Sequence, residues 1–256
     1  MISKSTIKLI KSLAIKKYRF KEKLFLVEGD KNVLEVLHSE YIVKQLFATK
    51  TFLIENVESV INAKQIVELI PEEIKRASLL QSPQNCLAIC NLPSTPELPS
   101  ELKRNLSLYL DGIQDPGNLG TIIRICDWFG IDHLFCSPDT SDMFNPKVIQ
   151  ASMGSFCRVK VWHTPFEQIA KMADISNVSV YGAFLNGQNI YTENLPNQAL
   201  LVVGNEGKGI RCPVEKRITK KIMIPNLAPV RNGAESLNVS VATGIICAEF
   251  KRQSLI

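Results

Sequence analysis

Residues Ile222 to Gly244 read IMIPNLAPVRNGAESLNVSVATG, and the stretch changes character twice along its length. It opens as a short apolar strand, passes through a loop rich in Pro, Asn and Gly, and becomes a helix of apolar and small residues. The junction is Glu235-Ser236-Leu237-Asn238-Val239-Ser240. Ser236 is the expected N-cap, because its hydroxyl can accept from an unpaired first-turn amide, and the helix is expected to run from there to about Arg252. Such a junction offers a ligand backbone donors and the positive end of a helix dipole. Taken alone, the same pattern describes a strand, a loop and a capped packing helix.

Working outward, the residues before this stretch alternate between short apolar runs and amphipathic ones. Strands are expected at 106–110, 133–136, 157–161, 178–184, 199–203 and 221–224, with helices at 118–129, 145–153 and 165–173. Strands spaced by helices imply an α/β fold with a mostly parallel, doubly wound sheet, whose ligands bind beyond the carboxyl ends of the strands. Further upstream, strands are expected at 24–27, 45–49, 67–70 and 86–90. Helices are expected over 3–15, from Asp30 as cap through Leu37, and from Pro71 as first helical residue. This is a second, smaller α/β domain. Between the two, Asn91-Leu-Pro-Ser-Thr-Pro-Glu-Leu-Pro-Ser100 carries three prolines, which remove donors and disfavour helix, so it reads as linker. The expected division is 1–95, a linker at 96–105, and 106–256.

Charge is uneven. Residues 1–95 hold 14 Lys and Arg against 10 Asp and Glu, and the remainder holds 16 against 15. Most of the excess precedes residue 24, which fits a solvated face or a polyanion partner. The N-terminus carries lysines through its apolar positions and lacks a small-residue cleavage site, so no signal peptide is read. No apolar run reaches the ~18–20 residues of a membrane helix, and a cytoplasmic location without membrane association is expected. Seven cysteines without a CxxC pair, and three histidines remote from them, point to reduced thiols and no metal site.

Asp115-Pro-Gly-Asn-Leu-Gly120 makes a glycine-bearing strand-to-helix turn, without the GxGxxG of a dinucleotide fingerprint or the GK[ST] of a P-loop. Arg124 follows in an apolar run, Thr-Ile-Ile-Arg-Ile-Cys. A guanidinium there needs a partner, either a structural one such as Asp127 or a ligand. Leu110-Asp-Gly-Ile-Gln-Asp-Pro-Gly-Asn-Leu-Gly-Thr-Ile-Ile-Arg124, Leu201-Val-Val-Gly-Asn-Glu-Gly-Lys-Gly-Ile210 and Ser236-Leu-Asn-Val-Ser240 resemble, in this order, the three motifs of the SpoU-type RNA 2′-O-ribose methyltransferases of the SPOUT superfamily. The resemblance spans most of 106–250.

That resemblance implies a trefoil-knotted methyltransferase fold that takes S-adenosylmethionine and methylates a ribose 2′-hydroxyl. It assigns catalysis to Arg124, Asn118, Glu206 and Asn238, with Ser240 completing the third motif. It assigns cofactor contacts to Gly204, Asn205, Ile224, Ser236 and Leu237. It also implies a homodimer, in which the small residues Ala234, Ser240, Ala242, Gly244 and Ala248 allow close packing. The 226–235 loop is longer than the family pattern, and its Pro229, Arg231 and Gly233 bear on the edge of the pocket. In the first domain, Phe25-Leu-Val-Glu-Gly29 and Ser82-Pro-Gln-Asn-Cys-Leu-Ala88 resemble the small L30e-like substrate-binding module that precedes many of these enzymes. Lys16, Lys17, Arg19, Lys21 and Lys23 are its expected contacts to structured RNA, ribosomal RNA ahead of transfer RNA. The competing reading is a non-catalytic RNA-binding or ribosome-assembly factor on the same fold.

Overall fold

The computed structural model describes residues 1–102, 105–228 and 235–255; the loop positions Pro229, Arg231 and Gly233, together with Ala234, lie outside the described residues. Two compact units emerge: Met1–Thr95 with Asp142–Arg158, and Pro96–Ser141 with Val159–Ile256. The first unit therefore takes in a segment that interrupts the second in sequence.

The sheet of the first unit contains β1 (Leu24–Glu28), β2 (Val43–Ala48), β3 (Ile66–Glu68) and β4 (Cys86–Asn91) in the order β1-β4-β2-β3. β4 runs antiparallel to both neighbours, and β2 and β3 are parallel. Every residue of β1 is buried, which explains its unbroken apolar run Leu24-Phe-Leu-Val27. The first helix, Lys4–Ser12, is capped by Ser3, whose hydroxyl accepts from the Thr6 amide, and it buries Ile10. The basic Lys16–Lys23 stretch is largely a second helix, Lys16–Glu22. Asp30 begins its helix rather than capping it: Gly29, at φ +89°, is the cap, and the Asp30 carboxylate accepts from the Asn85 main-chain and side-chain N–H groups. Two helices with no clear periodicity, Lys50–Glu55 and Val57–Val60, fill what reads as mixed sequence.

The inserted segment contributes the helix Pro146–Ser152 and a 3-10 turn at Ser155–Cys157; the strand expected over 157–161 begins only at Lys160. Phe144 packs on Phe25 with ring centroids 4.8 Å apart, and Phe156 stacks on Tyr41 at 5.8 Å. Asp142 accepts two hydrogen bonds from the buried Arg19, at 2.7 and 3.1 Å.

The second unit is built on β5 (Leu106–Asp111), β6 (His133–Cys136), β7 (Lys160–His163), β8 (Val180–Asn189), β9 (Ala199–Gly204) and β10 (Lys220–Met223). Their order is β10-β8-β9-β5-β6-β7 and every pairing is parallel. Parallel strands covered on both faces are mostly apolar, and all six residues of β5 are buried, Ser107 and Asp111 among them. Tyr109, Phe135, Trp162, Phe166, Leu200 and Val202 share one core cluster. Full burial of each such side chain contributes about 1.5–3 kcal/mol. Three helices, Pro116–Trp128, Phe166–Ile175 and Val239–Ser254, accompany the sheet, with a short unforeseen one at Cys212–Glu215. Among the described residues, no helix is long and apolar enough to cross a membrane.

Candidate functional site

Asp111 and Gly204 end β5 and β9 and are register partners, so the loops that follow leave the sheet side by side. Asn205 ties them together. Its Nδ2 donates to the Gly112 carbonyl at 2.9 Å, while its Oδ1 accepts from the Gly207 and Lys208 amides at 3.0 and 3.1 Å. Gly204 tolerates no side chain, since a Cβ would run into the backbone of Gly209 and Ile210. At the far end of this loop, the Arg211 amide and guanidinium both donate to Asp111, whose carboxylate is wholly buried. Asp111 holds the Arg211 pKa above its ordinary value. Arg211 also reaches Asp139, whose carboxyl is held below the usual range by the Ser137 hydroxyl and, to a lesser extent, by Arg211.

The Pro116–Trp128 helix starts where Asp115 caps it, with its Oδ1 accepting from the Asn118 amide at 2.8 Å. This leaves the Asn118 side chain free to face two other loops. Its Nδ2 donates to Glu206 Oε1, and its Oδ1 accepts from Asn238 Nδ2 at 2.9 Å. Asn238 in turn accepts, through Oδ1, from the Ser240 hydroxyl at 2.6 Å and from the Ser240 and Val241 amides at 3.0 and 3.3 Å. Glu206, Asn118, Asn238 and Ser240 thus form one polar chain drawn from three loops far apart in sequence. The N-cap of the last helix is Asn238, not Ser236. The helix begins at Val239, Ser236 is exposed, and the amide oxygen of Asn238 reaches two first-turn N–H groups at once.

Arg124 stands outside that chain. It is exposed and, among the described residues, has no ion-pair partner, so the pairing with Asp127 does not form. Gly117, Thr121, Arg124 and Trp128 fall at i, i+4, i+7 and i+11 on one face of the helix. Trp128 on this face is 84% exposed. Of the expected cofactor contacts, Gly204, Asn205 and Ile224 are half-buried, whereas Ser236 and Leu237 are exposed. Ile224, Ser236 and Leu237 are not hydrogen-bonded to the polar chain. These five residues carry no charge and offer main-chain groups, the Ser236 hydroxyl and apolar surface, while the Asn205 side chain is committed to its own loop, a set that suits an adenosine moiety.

Of the expected RNA contacts, Lys16, Lys17, Lys21 and Lys23 are exposed. Arg19 is not available to RNA. It is 1% exposed, and its guanidinium is spent on the Leu13 and Ala14 carbonyls, at 2.7 and 3.0 Å, and on Asp142. A buried guanidinium must be paired, and three acceptors within the unit do so. Tyr18 and Phe20 flank it on the outside, 38% and 54% exposed, with Lys16 Nζ 5.8 Å from the Phe20 ring. Nothing in the sequence joins Asp111, Arg211 and Asp139: they lie up to 100 residues apart, and although Asp111 falls within the first motif, Arg211 and Asp139 lie outside all three.

Residues 105–248 match the SpoU rRNA Methylase family, and residues 4–88 match the MRM3-like substrate binding domain. The chain is 32% identical over 238 residues to the 23S rRNA (guanosine(2553)-2′-O)-methyltransferase RlmP of Bacillus subtilis, covering 92% of each chain. Among solved structures, a protein of Porphyromonas gingivalis assigned to the TrmH family of RNA methyltransferases is 40% identical, with TM-score 0.85 and 99% of both chains covered. The AdoMet-bound rRNA methyltransferase of Sinorhizobium meliloti is 25% identical with TM-score 0.85, over 100% of this chain and 97% of that one.

Proposed function

The chain belongs to the SpoU rRNA Methylase family, and from that premise we propose that it transfers a methyl group from S-adenosylmethionine to a ribose 2′-hydroxyl of structured RNA, ribosomal rather than transfer RNA. The relative RlmP, named for this chemistry on 23S rRNA and matched over nearly its whole length, supports the choice of substrate. The observation that carries the reading is the polar chain Glu206–Asn118–Asn238–Ser240. Bound S-adenosylmethionine supplies an electrophilic methyl on its sulfonium. The ribose hydroxyl would have to be held in line with that methyl and to release its proton to solvent water, with S-adenosylhomocysteine leaving, so alignment of the ribose is the larger task for the protein. Alignment of this kind can supply ~7–11 kcal/mol of a barrier. Asn118 and Asn238, each held through both ends of its amide, are rigid enough to provide it. Arg124, charged and without an ion-pair partner among the described residues, holds the phosphate next to the target ribose and stabilises the developing alkoxide; a guanidinium keeps its proton too firmly to serve as a base. Gly204, Asn205, Ile224, Ser236 and Leu237 hold the cofactor.

In this reading residues 1–95 bind RNA and residues 106–256 catalyse, with the family's trefoil knot in the catalytic part. Lys16, Lys17, Lys21 and Lys23 contact phosphates, and the exposed rings of Tyr18 and Phe20 offer faces for unpaired bases. The enzyme acts in the cytoplasm as a homodimer. Val241 and Ala248 on the last helix and Leu255 at its C-cap, spaced i, i+7 and i+14 and all exposed, supply an apolar face for the second copy.

The test is transfer of tritium from methyl-labelled S-adenosylmethionine to protein-free 23S rRNA, followed by recovery of alkali-resistant dinucleotides. Arg124→Ala and Arg124→Lys are expected to lose at least 100-fold in turnover, as removal of a transition-state donor does, with cofactor affinity unchanged. Near wild-type turnover in either variant would refute the role of Arg124. Neither label nor cofactor binding in the wild type would leave the non-catalytic RNA-binding reading.

A further inference from the structure

In the first unit the Lys4–Ser12 helix lies beside the Pro71–Ala77 helix, and a cleft of about 370 Å3 is lined by Lys4, Ile7, Lys11, Lys75 and Arg76. Four of the five lining residues are cations. All four are exposed, and none has an ion-pair partner among the described residues. Of the two carboxylates in the second helix, Glu73 is turned to the Ile2 and Ile70 amides at 2.9 and 3.4 Å, and Glu72 is exposed outside the lining. Two helices separated by about sixty residues of chain bring four cations to one cleft, where none makes an ion pair among the described residues and the carboxylates at hand, Glu72 and Glu73, do not line it. The excess of positive charge raises the potential in the cleft and favours an anion there. A neighbouring depression of about 480 Å3 shares Lys75 but includes Asp30, and its Asn85 amide is already committed to Asp30, so it lacks this character.

We infer that the cleft between the Lys4–Ser12 and Pro71–Ala77 helices holds the sugar–phosphate backbone of the RNA substrate. The site rests on the RNA-methylating reading above and adds to it a place and a set of residues. Lys4 and Lys11 stand two turns apart on one helical face, and Lys75 and Arg76 oppose them from the other helix, so the charges track a strand rather than surround a point. Three lysines and one arginine, without a buried donor or an aromatic ring in the lining, read charge and not sequence. The contribution of the cleft is therefore to affinity, equally for any RNA sequence.

The experiment uses the full chain and in-vitro-transcribed 23S rRNA, with binding followed by fluorescence anisotropy across a series of KCl concentrations. In the Lys4→Gln/Lys11→Gln/Lys75→Gln/Arg76→Gln variant, the plot of log affinity against log salt is expected to become shallower by about 3, roughly 0.7–0.9 for each of the four phosphates no longer neutralised. The milder Lys75→Gln/Arg76→Gln variant, which leaves the first helix untouched, is expected to lose about half of that. Cofactor affinity stays unchanged in both. A wild-type slope in the milder variant, with its melting temperature retained and rRNA still methylated, overturns the cleft and leaves the enzymatic reading standing. No methylation and no salt-dependent RNA binding by the wild type overturns both. Tighter capture by phosphatidylserine vesicles than by RNA at equal salt overturns the choice of RNA as occupant.

Discussion

Asp111 ends β5 with its carboxylate sealed from solvent and with Arg211 donating to it from both its main chain and its guanidinium. The pair fastens the far end of the loop that carries Glu206, while Asn205 fastens the near end on Gly112. Arg211→Ala would strand a buried charge. Breaking a fully buried pair costs about 3–5 kcal/mol; because Arg211 is 46% exposed and its amide still reaches Asp111, about 2–3 kcal/mol is expected here. Arg211→Lys keeps the charge but not the planar fork, and is expected to fall between wild type and Arg211→Ala. Urea unfolding of the two variants measures this, and a loss below about 0.5 kcal/mol for Arg211→Ala would show that the loop is held by other contacts. Neither residue announces itself in the sequence. An aspartate at a strand end and an arginine after a glycine turn are ordinary, and only the register of β5 against β9 brings them together. Arg19 misleads for the same reason, since nothing local separates it from the lysines around it, and it is the distant Asp142 that draws it inward.

The strands and helices of the second unit are legible because parallel strands buried on both faces leave long apolar runs, and the helices between them carry a 3.6-residue period. Ends are less legible. Ser236 and Asn238 are both good caps, and the choice between them falls to Asn118, which binds the Asn238 amide and so fixes where the last helix begins. Asn238→Ala is expected to lose about 1 kcal/mol through the cap, and more through the unpaired Asn118 oxygen, whereas Ser236→Ala stays within a few tenths. Equal losses in the two variants, read from urea midpoints, would contradict the assignment of the cap. Near the other end of this helix, Arg252 and then Gln253 hold the Glu249 carboxyl down to about 2 from an ordinary 4.5. A depressed carboxyl stabilises the fold above about pH 4.5 and loses that contribution as pH falls toward 2. Glu249→Gln should therefore lower stability at neutral pH and flatten the acid limb of the melting temperature between pH 4.5 and 2. An acid limb as steep as the wild type's would place the depressed titration elsewhere.

At the scale of the whole chain, the division into two units is not a single cut at the proline-rich stretch, because Asp142–Arg158 also belongs with Met1–Thr95. A break in composition marks a linker, but nothing in composition tells which sheet a short helix between two strands of the second unit will cover. The answer lies in the first unit. Phe25 on the all-buried β1 meets Phe144 and Phe156, Tyr41 stacks on Phe156, Asn32 donates to Gln150 at 3.1 Å, and Arg158 pairs with Glu35. Residues 1–95 alone would thus expose Phe25 and Tyr41 and leave Arg19 a buried cation without its carboxylate. Removing aromatic partners of this size costs about 3–5 kcal/mol each when a core cannot close, and the total stability of a small domain is about 5–15 kcal/mol. The isolated 1–95 fragment is accordingly expected to be loosely packed or aggregated. The same fragment joined through a flexible linker to 142–158 should recover a cooperative unfolding transition. Near-ultraviolet circular dichroism and thermal melts of the two fragments decide the matter. A cooperative, native-like melt of 1–95 alone would mean that the inserted segment only decorates the first unit; recovery with the linked segment, lost again on Phe156→Ala, would make it part of the core.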